Sequence, residues 1–271
     1  MKKVIATIFI VGFSGILLYL FTDFFTKIQI RKPVGDNLKE HYGIKDGDFK
    51  ILSASNNILG GTGIQTYIEI KKPYYTTTYL TIDKNSYEID EDDDKYVFLD
   101  IFKGAYVQQH SDVIKQSNEI IKRYNLLSES NNAFDEAKQN FYYYLNFTID
   151  EQQEKELLTK FKQSKQLDTK KLIKTLKMSK SKINSYHMGV VNFNYYYSVE
   201  KNKGNIPDIL SIMNDFNRSN VLTEGIYNIV LLPSSSSGID DGKESYVLFS
   251  VDKSGEFKVI KKMNMGDDSY I

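Results

Sequence analysis

Hydrophobic and polar positions divide the chain sharply near its start. Residues 4–22 (VIATIFIVGFSGILLYLFT) run for 19 positions without a charge, and show neither the alternation of a strand nor the stripe of a surface helix. At 1.5 Å per residue a helix of that length rises about 28 Å, enough to cross a hydrocarbon core. Lys2 and Lys3 precede the run, and Tyr19, Phe21, Phe24 and Phe25 gather at its far end like an interfacial aromatic belt. The run is longer than the apolar part of a cleaved signal and no small-residue cleavage pattern follows it. The expectation is an uncleaved single-pass anchor contacting the lipid bilayer through Val4, Phe9, Val11, Ile16, Leu17, Tyr19, Leu20 and Phe21.

Beyond the anchor the pattern becomes that of a folded body. Residues 27–33 read as a basic stalk broken by Pro33, and 36–43 as a short helix with an Asp start and a Gly stop. Strands are expected at 49–55, 66–71 and 75–82, with 86–89 pairing back around Asp83-Lys84-Asn85 and a further strand at 96–102. A helix at 111–124 closes this unit. The Ser- and Asn-rich tract 126–139 reads as a linker. A second unit follows: a strand at 141–149, helices at 150–164 and 168–179, and a strand or kinked hairpin at 183–199. A helix at 206–218 and strands at 226–232, 246–251 and 256–262 complete it. The predicted class is α+β, a single transmembrane helix followed by one or two small mixed units with antiparallel sheets. Its divisions are an anchor over 1–26, a stalk over 27–33, a unit over 34–125, a linker over 126–139 and a unit over 140–271.

Charge flanking the anchor is nearly balanced, Lys2 and Lys3 against Lys27, Arg31, Lys32 and Lys39. A basic start followed at once by an apolar run is typical of exported chains, and large domains translocate largely regardless of charge. The body is therefore expected on the outer face of a bacterial cell membrane. A net charge of zero argues against nucleic acid as a partner. With no cysteine there is neither a disulfide framework nor thiolate chemistry, which suits an envelope protein. Twenty tyrosines and sixteen phenylalanines replace tryptophan, which is absent, as the large core side chains.

Candidate chemistry is sparse. His41, His110 and His187 lie far apart, outside any metal-ligand spacing. Ser179-Lys180-Ser181-Lys182 matches an S-x-x-K spacing but lacks its partner motifs, and Gly60-Gly61-Thr62-Gly63 leads to a strand where a phosphate cradle needs a helix. In the acidic run 88–94, Asp90, Asp92 and Asp94 alternate like calcium-loop ligands. Lys95 stands where that loop needs glycine and Ile101 where it needs glutamate, so a solvated turn is expected. Ten lysines gather between Lys155 and Lys182 on two amphipathic helices. Lys162, Lys165, Lys170, Lys171 and Lys174 are the candidate contact for anionic lipid or a wall polymer. Tyr142–Tyr144 and Tyr195–Tyr197 place tyrosine on both faces of their strands, as a strand buried on two sides does. The sequence thus points to a binding module with no cofactor, no metal, no catalytic residues and an unspecified protein partner. An envelope hydrolase and a membrane-docked regulator with a cytoplasmic body are the alternatives.

Overall fold

The computed structural model describes residues 23–56, 63–128, 142–179, 188–202, 206–234 and 244–264. They fall into two compact units that divide between Asp100 and Ile101. The apolar run at 4–22, with its eight expected bilayer-contacting residues, lies outside the described residues. Among the described residues no helix is long and apolar enough to cross a membrane.

In the first unit a helix, α1, covers residues 23–42. Thr26, Ile30, Val34, Leu38 and Tyr42 recur every four residues and are all buried, the middle three completely. This stripe carries the helix straight through 27–33, where a stalk was expected. Pro33 lacks the N–H for its own helical bond, a cost of about 3 kcal/mol. Burying Ile30 and Val34 on either side, each worth about 1.5–3 kcal/mol, offsets it. The helix stops at Gly43, whose φ of 64° closes the turn. The amide of Gly43 donates to Lys39 O and that of Ile44 to Leu38 O, at 2.9 and 3.0 Å.

Three antiparallel strands follow in the order β1 (Phe49–Asn56), β2 (Gly63–Ile70) and β3 (Thr76–Asp83). Burial alternates strictly along β2 and β3, so Ile64, Ile68, Ile70, Leu80 and Ile82 share the inner face. Ala54 N–H donates to Asp23 Oδ1 at 2.9 Å and the Arg31 guanidinium lies 5.5 Å above the Phe49 ring, so α1 is fastened along β1. The expected return strand at 86–89 shrinks to one bridge between Ile82 and Ile89, because Asp83 Oδ1 gathers Asn85 N–H, Ser86 N–H and the Ser86 hydroxyl into a turn.

Residues 96–102 are helical rather than a strand, inside α2 (Glu91–Gln109). Val97, Phe98, Ile101, Phe102, Ala105 and Tyr106 are buried, a two-wide stripe repeating every four residues. The Tyr-Val-Phe-Leu-Asp-Ile-Phe cluster is rich in strand-favouring residues, but its spacing is that of a helix. Glu91 to Asp94 belong to this helix instead of a turn between strands.

The second unit holds a five-stranded sheet in chain order: β4 (Leu145–Phe147), β5 (Val191–Ser198), β6 (Gly225–Ser234), β7 (Ser245–Val251) and β8 (Phe257–Asn264). Three pairings are antiparallel. β5 and β6 run parallel, so the sheet is mixed, and the crossover this requires carries helix α6 (Ile209–Ser219). Between β4 and β5 lie α4 (Glu151–Ser164) and α5 (Thr169–Leu172), the latter continued by a 3₁₀ turn, Ile173–Thr175, where a longer helix over 168–179 was expected. Ahead of β4 stands α3 (Ser111–Arg123).

Both faces of the sheet are buried over β4 to β7, whereas the edge strand β8 is exposed at Val259 and Ile260. One face carries Phe147, Phe193, Tyr195, Tyr227, Ile229, Val247 and Phe249; Phe193 meets Phe216 of α6 at 4.8 Å and Phe147 meets Tyr106 at 5.1 Å. The other carries Val230, Tyr246 and Leu248, packed with Met188, together with a polar row in which Asn146, Asn192 and Asn228 stand in register across β4, β5 and β6. Asn192 turns back to accept from Gly189 N–H and donate to Gly189 O. A Cβ on Gly189 would lie 2.6 Å from Asn228 N, so only glycine fits.

The two faces of α1 give a direct contrast. Leu38→Ala should destabilise the first unit by roughly 2–5 kcal/mol. Ile28→Ala, on the exposed face of the same helix, should change it by less than about 0.5 kcal/mol. Hydrogen exchange of the β1–β3 amides reads both, and equal effects would contradict the packing described.

Candidate functional site

The lysine-bearing segment is built from the chain upward by two aspartate-led turns and capped ends. Asp150 Oδ1 accepts from Gln153 N–H and opens α4; Asp168 Oδ1 accepts from Lys171 N–H and opens α5. Leu157, Phe161, Leu167, Ile173 and Leu176 point inward and are buried. Lys155, Lys160, Lys162, Lys170, Lys171, Lys174 and Lys177 are exposed. Glu151 and Glu154 occupy the first turn of α4, so the basic character concentrates from Lys160 onward.

The five candidate contacts are not equivalent. Lys162, Lys170 and Lys174 stand in solvent. Lys171 Nζ reaches Asp168 Oδ2 at 2.9 Å, which cancels part of its charge. Lys165 is the C-cap of α4 in the left-handed region at φ 56°, donating its N–H to Phe161 O, with Nζ 5.6 Å above the Phe161 ring. Partial burial and then the neighbouring Lys162 lower its pKa. Its first role is to end the helix.

This segment is held rigidly. Gln153 Nε2 donates to Thr175 O at 3.1 Å while its Oε1 accepts from Lys177 N–H at 2.7 Å, and Asp150 N–H donates to Lys177 O. On the other side Gln109 Nε2 donates to Leu167 O, and its Oε1 accepts from both the amide and the hydroxyl of Thr169 at 2.8 Å. His110, buried and stacked 4.0 Å from Tyr106, has Nε2 3.2 Å from Thr169 Oγ1. Burial, and secondarily the Lys170 charge, push its pKa down to about 4. Among the described residues no group of three or more histidine, cysteine, aspartate or glutamate side chains could hold a metal ion. His187, Lys180, Lys182 and residues 60–62 of the glycine tract lie outside the described residues, and Gly63 opens β2.

A second charged cluster escaped the sequence reading. Asp215 is 3 % exposed, with Arg123 Nη1 2.7 Å from its Oδ2 and Arg218 Nη1 3.9 Å from its Oδ1. Gln116 Nε2 donates to the Asp215 carbonyl, so α3 and α6 are braced against each other. The signal was available: Asp215 interrupts the apolar stripe Ile209, Ile212, Met213 and Phe216.

Tyr195 to Tyr197 lie in β5, whereas Tyr142 to Tyr144 form a turn ahead of β4 and not part of the strand expected at 141–149. Tyr144, Tyr195 and Tyr197 are buried; Tyr195 Oη lies 2.8 Å from Ser117 Oγ and Tyr227 Oη donates to Thr223 O. Burial raises the pKa of Tyr106, Tyr144 and Tyr195, and pushes Tyr227 up to about 12, so these phenols stay protonated at neutral pH and act as packing groups with a hydroxyl tip.

No protein-family description matches the chain, and no curated protein matches it. The solved structure of a DUF5037 family protein from Ruminococcus gnavus is similar over 84% of this chain and 94% of its own, at 13% identity and a TM-score of 0.30. A likeness at that level carries no argument about fold or function.

Because His110 is held neutral in the fold and titrates near 6.5 when unfolded, the unfolded state binds the extra proton between those values. Its contribution to stability is therefore constant above about pH 6.5 and falls as the pH drops toward 4. His110→Gln should flatten the loss of melting temperature between pH 7 and pH 5 relative to the parent chain. Parallel melting curves would show that His110 is not held neutral.

Proposed function

We propose that the chain is a single-pass membrane protein, anchored through residues 4–22, whose extracytoplasmic body is a binding module rather than a catalyst. Its lysine-bearing face engages an anionic surface, either lipid headgroups or a wall polymer. The observation that supports this most is the rigid display of Lys162, Lys170 and Lys174 on a segment clamped at both ends by Gln153 and Gln109. Lysines on a fixed backbone contribute about 1 kcal/mol each near an anionic layer without the further cost of ordering that backbone at binding. The second reading, a body on the cytoplasmic side, draws on Lys27, Arg31, Lys32 and Lys39 following the anchor.

The test uses the full chain in phosphatidylcholine nanodiscs and a soluble polyglycerol phosphate as the anionic probe. Binding should be several-fold weaker when Lys162, Lys170, Lys171 and Lys174 are changed together to Gln, with Lys165 left as the cap. What remains should lose its salt dependence, since screening acts on the charges removed. Parent chain that binds no polymer at low salt, or binds as well at high salt, would overturn the assignment of this face.

A further inference from the structure

The outward face of α1 changes character within one turn. Phe24, Phe25 and Ile28 are each 57% exposed, and Phe24 meets Phe25 edge-on at 5.8 Å. The next outward positions, Gln29, Arg31, Lys32, Asp36, Lys39 and Glu40, are all polar. The inward stripe shows no such switch and is buried from Thr26 onward. Three large apolar side chains on one exposed face, confined to the end of a helix, are not what a solvated helix presents.

The same end of α1 is already fastened to the body. Asp23 Oδ1 accepts from Ala54 N–H at 2.9 Å and Oδ2 pairs with Lys27 Nζ at 2.6 Å. Thr26 is 6% exposed. The first unit therefore packs on this helix from its first described turn, without a spacer.

We propose that Phe24, Phe25 and Ile28 are seated in the interfacial layer of a lipid bilayer, so that α1 fixes the first unit directly against the membrane surface. This rests on the anchor reading, because the uncharged run 4–22 immediately precedes Asp23. Counted from Asp23 at 1.5 Å per residue, Ile28 lies about 7.5 Å further out, and one headgroup layer is about 5–7.5 Å deep. The switch to Arg31 and Lys32 then falls where headgroups meet water. Aromatic rings are favoured at that level, and phenylalanine beside an acyl boundary buries what it would otherwise expose.

Because the chain has no cysteine, single substitutions give unique labelling sites. Phe25→Cys, Ile28→Cys and, as the control on the same helix, Lys39→Cys are labelled with an environment-sensitive fluorophore in full-length chain. The chain is reconstituted in phosphatidylcholine–phosphatidylglycerol vesicles, floated, and quenched from the lipid side or with aqueous iodide. Labels at 25 and 28 should be quenched several-fold better from the lipid than by iodide, with the reverse at 39. If the chain floats but labels at 25 and 28 are as open to iodide as that at 39, the anchor stands and the interfacial seating is overturned. Labels shielded from both quenchers would mean that protein covers the stripe, which also overturns it. A chain that does not float removes the anchor reading and this inference together.

Discussion

The contact on which the first unit depends is the stripe of five side chains at four-residue spacing, Thr26, Ile30, Val34, Leu38 and Tyr42. A three-stranded sheet alone exposes one full apolar face, here Ile64, Ile68, Ile70, Leu80 and Ile82, and needs a cover to be stable. The stripe belongs to a helix long enough to supply that cover and strong enough in burial to continue through Pro33. The outer face of that helix is exposed at Phe24, Phe25, Ile28, Lys32, Lys39 and Glu40. It can therefore be apolar at one end, at Phe24, Phe25 and Ile28, and charged at the other without cost to the fold.

In the second unit the equivalent constraint is a sheet buried on both faces over β4 to β7. Phenylalanine and tyrosine supply the volume that tryptophan would, and the hydroxyls of Tyr195 and Tyr227 are placed against Ser117 and Thr223 so that burial does not strand them. Polar side chains serve mainly as fasteners. Gln109 and Gln153 each make paired bonds to backbone that fix the segment from Leu167 to Lys177, and Asp215 braces two helices through arginines. The side chains of Lys162, Lys170 and Lys174 lie outside this network, which is why charge can be varied there with the core untouched.

Local chemistry was readable in advance. Asp150 and Asp168 cap the helices they were expected to open, and the Asp252-Lys253-Ser254-Gly255 turn joins β7 to β8, with Asp252 Oδ1 accepting from Ser254 and Glu256 amides. The α+β class follows from the same signals. What failed was non-local or disguised. Val97 to Phe102 carries strand-type residues at helical spacing, and Pro33 looked like a break because the stripe that overrides it was not weighed. The parallel pairing of β5 with β6 depends on strand order, which no local pattern encodes. Of the lysine set, exposure followed from amphipathicity, whereas the left-handed cap at Lys165 did not, since glycine or asparagine is the usual residue there.

The central claim is a tethered body on the outer side of the membrane, held close to it by α1. Its most direct test is protease added to intact protoplasts and to lysed ones, followed by mass spectrometry of what survives. The account predicts that peptides from the second unit, such as those spanning the exposed lysines of α4, are released from intact protoplasts while the N-terminal anchor stays with the membrane. A body that remains whole until the cells are lysed would contradict it.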